Sequence, residues 1–120
     1  MRHKTLTVAE MDKTIQDYYL LKMLVLGVLD WPDNDFESQI LKAYIKIQST
    51  TEIADKLNKK GLKIKTENEL RYGLRKYVST DIRDIILKSK KGRLTEVAKA
   101  FLSYNKGRTN FQSLLRLAKL

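Results

Sequence analysis

No cysteine occurs in the 120 residues, and the only histidine is His3. The first absence excludes a disulfide framework and any thiolate metal site. The second leaves no base for a Ser-His-Asp or Cys-His relay and no imidazole pair for zinc. Carboxylates remain, but Asp81 and Asp84 stand among arginines and lysines that neutralise them. The chain is therefore read as non-enzymatic, with no catalytic residue, no cofactor, no bound metal and no small-molecule ligand. Proline occurs once, at Pro32, and no repeat, low-complexity tract or Pro/Ser-rich linker divides the sequence. Strand signals are nearly absent, since Leu62 to Lys65 alternates but is short and isolated. The longest apolar run, Tyr18 to Leu29, covers twelve residues with Lys22 its one charge. A membrane-spanning helix needs roughly twenty, so the run reads as core and the protein as cytoplasmic, with no membrane partner.

Acidic residues are also few, 14 against 24 Lys and Arg, for a net charge of +10. The imbalance is confined to one half. Residues 1–58 hold 7 Lys or Arg against 9 Asp or Glu, while residues 59–120 hold 17 against 5. A slightly acidic half joined to a strongly basic one points to a polyanionic partner, nucleic acid before membrane surface.

What is present is a series of capped, periodic segments. Met1 to Leu6 form a short basic arm without the apolar stretch of a secretory signal. Thr7 and Glu10 have the spacing of a capping box and open a helix over 7–30, expected to be the buried central helix. Because it is apolar on most sides, a second copy of the chain is a candidate to cover it, and a homodimer is expected. Trp31-Pro32 ends this helix, and Asp33 or Asn34 caps the next, whose stripe is Phe36, Ile40, Leu41, Tyr44, Ile45 and Ile47. Ser49 and Glu52 repeat the box, with Ile53, Ala54 and Leu57 on one face and Gly61 at the helix end. Thr66 and Glu69 repeat it again, and Leu70, Gly73, Leu74, Tyr77 and Val78 predict a buried stripe on a helix over 66–78. Further on, Ser79 or Thr80 caps a segment with Ile82, Ile85 and Ile86, and the basic loop Lys88 to Arg93 follows. Residues 95–120 read as a helical pair, capped at Thr95 and Thr109 and divided by Asn105-Lys106-Gly107-Arg108. The outcome is a compact all-α single domain of about six helices, the long 7–30 helix at its centre.

Within it, Thr50 to Gly61, T-x-E-I-A-D-K-L-N-K-K-G, followed by a capped basic helix, resembles the helix-turn-helix of bacterial and phage DNA-binding proteins. Ala54 matches the small residue where the two helices of that motif touch, and Ile53, Leu57 and Ile64 match its buried positions. Asn58 stands where many members have a turn glycine, and Leu62 to Lys65 lengthen the turn. The resemblance spans residues 49–78 and implies that helix 66–78 enters the major groove of double-stranded DNA. On that reading Asn68 pairs with adenine and Arg71 with guanine. Thr50, Thr51, Lys63, Lys65, Arg75, Lys76 and Lys91 then hold phosphates, with Thr66 and Tyr72 on the same helix. The implied function is a small transcriptional regulator or replication factor. The alternative is a basic interaction module that docks an acidic protein without binding DNA.

Overall fold

The computed structural model describes residues 6–65 and 74–119, and most of its helices begin where a short polar side chain takes an orphan amide. Thr7 Oγ1 accepts from Glu10 N at 3.2 Å and opens α1 (Val8–Leu29). Asp35, slightly later than Asp33 or Asn34, accepts from Ser38 N and opens α2 (Phe36–Ile47). Ser49 opens α3 (Thr50–Lys59) through Glu52 N. At α4 (Ser79–Lys88) the reciprocal contact does the work, with Val78 N donating to Asp81 Oδ2 at 2.8 Å. α5 (Arg93–Asn105) follows Gly92, so Thr95, expected as its cap, lies inside the helix. Asn110 rather than Thr109 caps α6 (Phe111–Ala118), accepting from Ser113 N.

The expected helix over 66–78 is not formed at its C-terminal end. Leu74–Arg75 is a strand, β2, antiparallel to β1 (Ile64–Lys65), with Ile64 opposite Arg75 and Lys65 opposite Leu74. The physical reason lies in what the stripe finds to bury itself against. Leu74 is 67% exposed and Val78 52% exposed, so these two members of the stripe are not buried. Asn58 instead receives the backbone of Tyr77 as a neighbouring strand would. Tyr77 N donates to Asn58 Oδ1 at 2.7 Å, and Asn58 Nδ2 donates to Tyr77 O at 2.9 Å. The segment is extended up to Val78, and α4 starts afresh.

The long first helix is not central either. Only Leu21 and Val28 of α1 are buried, and Val8 to Leu20 lies almost wholly in solvent. α2 takes the central place, packing against α1, α3, α4 and α5 with Ile40, Leu41, Tyr44 and Ile45 each at most 3% exposed. One core cluster draws on all six described helices, adding Ile53, Ala54 and Leu57 from α3, Ile82 and Ile86 from α4, Leu94, Val97, Ala98, Phe101 and Leu102 from α5, and Leu114 from α6. The protein is thus an all-α domain with one small hairpin between α3 and α4.

Candidate nucleic-acid interface

Three elements converge beside the N-termini of α3 and α4. α3 and α4 form the most extensive pairing in the fold, joined through Asn58 and the hairpin. The start of α4 is held twice over by Asp81, which is 8% exposed. Its carboxylate accepts the Val78 amide, and both its oxygens accept from Arg75, at 2.7 and 2.6 Å. The Arg75 guanidinium, with that amide, holds the Asp81 carboxyl below its usual range, and the pair raises Arg75 in turn. The third element is the end of α5. Asn105 Nδ2 donates to Tyr44 Oη and Gln48 Oε1, both at 2.9 Å, and pins the α5–α6 turn to the end of α2.

This framing leaves a cleft of about 170 Å³ lined by Thr50, Ser79, Thr80, Arg83, Leu102 and Lys106. Helix N-termini carry unpaired amides and a partial positive charge, which suit anions. Here two of them border one cleft, with three hydroxyl side chains and two cations on its walls. Lys106 is pushed below its usual value by partial desolvation, then by repulsion from Arg83 and Arg108. Neither Arg83, Lys106 nor Arg108 has a carboxylate partner among the described residues. Like charges gathered in a cleft oppose folding, and a bound anion would relieve them.

The residues expected to touch DNA are distributed unevenly around this cleft. Thr50 lines it; Thr51 is exposed on the same turn of α3 but outside it. Lys63, Lys65 and Lys76 are exposed on or beside the hairpin strands. Arg75 is paired with Asp81, its side chain still 45% exposed. Lys91 is likewise committed, 2.8 Å from Asp35 and 3.7 Å from Asp33. Its ammonium, with the Ser38 contacts, lowers the Asp35 carboxyl to about 2, and Lys91 rises in return. The basic loop before α5 is thereby tied to the start of α2, and Lys90 N adds a bond to Glu37 Oε1 at 3.0 Å. Thr66, Asn68, Arg71 and Tyr72 lie outside the described residues.

Arg83, Lys106 and Arg108, with Ser79 and Thr80, are what the linear reading missed. The signal was divided: Arg83 sits in an isoleucine-rich helix, and Lys106 and Arg108 flank a turn glycine more than twenty residues away. On the opposite side of α4 a wider cleft of about 450 Å³ is lined by Phe36, Glu37, Ile64, Asp81, Asp84, Ile85 and Lys88. Its three carboxylates make it unfit for phosphate. No group of three or more His, Asp or Glu among the described residues is placed to hold a metal, and no helix there is long and apolar enough to cross a membrane.

Fold and site together define a class, a basic all-α domain with a cleft lined by hydroxyl and cationic side chains between paired helices. The chain matches no protein-family model, no curated protein and no solved structure.

Proposed function

We propose that this protein binds double-stranded DNA through the α3–α4 unit and acts without catalysis, as a small transcriptional regulator or replication factor. The observation that carries the reading is a pair of cations, Arg83 and Lys106, on the walls of the cleft between the N-termini of α3 and α4, with Arg108 acting on Lys106 and none of the three paired to a carboxylate among the described residues. A backbone phosphate is the anion of matching size and charge: guanidinium and ammonium groups neutralise it, while hydroxyls and helix amides orient it. Lys63, Lys65 and Lys76 add positive charge on the connection between the same two helices. Asn68 and Arg71, on the segment between the strands, are the base-edge candidates.

The test is a salt titration of a duplex DNA, the matching single strand and an RNA duplex with the wild-type chain and R83Q/K106Q. Wild type is expected to prefer the DNA duplex, with log K falling against log salt by about 0.9 per phosphate contacted. R83Q/K106Q should weaken binding to every duplex and reduce that slope by about 2. Unchanged affinity and slope in the variant would remove the cleft from the interface. Failure to bind any nucleic acid at low salt, together with binding to an acidic protein, would move the reading to the interaction module.

A further inference from the structure

We propose that the outer face of α1 is the interface of an antiparallel homodimer, covered by the same face of a second copy of this chain. The starting point is an unpartnered helix. Val8 is 72% exposed, Ile15 67% and Tyr19 59%, and Met11, Met23 and Leu26 lie between 43% and 49%. At about 100° per residue, Val8, Ile15, Tyr19 and Leu26 fall within roughly 40° of one another, with Met11 and Met23 on the two flanks and the charged Asp12 and Lys22 just inside them. Leu21 and Val28, which enter the core, point the opposite way. α1 therefore has a second, largely apolar side, interrupted by Asp12 and Lys22, and its own domain covers only the first.

Its first half also projects. Residues 8–16 and 18–20 are exposed over more than three turns, with Tyr18 against Phe111 of α6, ring centroids 4.9 Å apart, where α1 packs on α6. A lone helix shorter than about 12–15 residues is marginal in water. The molecule measures 62 × 38 × 22 Å with a radius of gyration of 17.7 Å, against about 13.6 Å for a compact chain of this length.

The choice of occupant comes from the spacing of the stripe. Positions 8, 11, 15, 19, 23 and 26 are symmetric about position 17. A two-fold axis perpendicular to α1 at that level sets Val8 level with the partner's Leu26, Ile15 with the partner's Tyr19 and Met11 with the partner's Met23. An isologous interface requires such self-complementarity. Six side chains at roughly 100 Å² each offer about 600 Å² per protomer, close to the ~800 Å² per partner of a standard interface. An anionic membrane suits the helix less, because its projecting half carries Glu10, Asp12 and Asp17 against Lys13. The inference is independent of the DNA reading, since no residue of α1 lines the cleft.

Sedimentation equilibrium of the full chain, from micromolar to submillimolar, tests it. Wild type is expected to approach twice the protomer mass of 14.0 kDa, and I15E/Y19E to remain at the protomer mass. Both residues are exposed in the single chain, so the variant should keep the near-UV signal of the half-buried Trp31. The natural absence of cysteine makes a second measurement clean. Under mild oxidation V8C/L26C should form a covalent dimer, whereas V8C alone should not. A wild-type chain at protomer mass throughout, a dimer untouched by I15E/Y19E, or a V8C chain that cross-links to itself would overturn the proposal.

Discussion

Asn58 is the residue on which the path from α3 to α4 turns. Its amide satisfies both backbone groups of Tyr77, and truncation leaves an N–H and a C=O without partners in a half-buried position. Asn58→Ala should cost about 1–3 kcal/mol in urea unfolding, and Asn58→Asp, which keeps the acceptor, should cost less. Asp81 makes a related prediction with a pH signature. A carboxylate whose folded pKa lies below the unfolded value of 3.8 contributes stability above that pH and loses it as pH falls through the folded pKa. Wild-type stability should accordingly decline from about pH 4 downward. Asp81→Asn should lower the urea midpoint at neutral pH, and its deficit should shrink as acid removes the wild-type advantage. A deficit that stays constant down to pH 2 would mean that the charge on Asp81 is not what stabilises the start of α4.

At the scale of elements, the helices with a complete local signal were legible and the others were not. Ser49, Glu52, Ile53, Ala54 and Leu57 lie within nine residues, and α3 forms as that pattern reads. Leu70, Gly73, Leu74, Tyr77 and Val78 carried an equally good period over 66–78, yet a period only states which face would be buried. It does not supply the surface that buries it, and Leu74 and Val78 found none. The α4–α5 connection repeats the point. Ser89 Oγ and Thr95 Oγ1 lie 3.0 Å apart and buried, and Thr95 also accepts from Lys91 N at 2.7 Å, so the hydroxyl read as a cap instead fastens the loop. Gly92 makes that loop possible, with φ 57 and ψ −126, far from the regions open to other residues. Gly92→Ala meets Trp31 Cη2 at 3.4 Å as well. A loss of about 1–2 kcal/mol is expected in thermal or urea unfolding.

For the whole molecule, the arm-like half of α1 and the basic half of the chain are the dominant features. Nothing before Leu21 in α1 is buried. Deletion of residues 1–12 should therefore change the unfolding free energy of the dilute chain by no more than about 0.5 kcal/mol. If the deletion unfolds the domain, the projecting turns contribute to the core in a way the single chain does not reveal. The same deletion removes Val8 and Met11 and should weaken self-association, which separates the stability of the body from that of the assembly.

By itself the sequence determined an all-α chain without disulfide or histidine chemistry, the placement of most helix starts, and a positive second half. Each of these depends on groups a few residues apart or on simple counting. The tertiary structure alone decided which apolar face is covered, that α2 and not α1 is central, and that residues 74–75 pair as a strand. It also decided which cations pair with Asp33, Asp35 and Asp81, and that Arg83, Lys106 and Arg108 have no carboxylate partner among the described residues. Burial and charge pairing depend on neighbours distant in sequence, and a periodicity or a count of lysines contains no record of those neighbours.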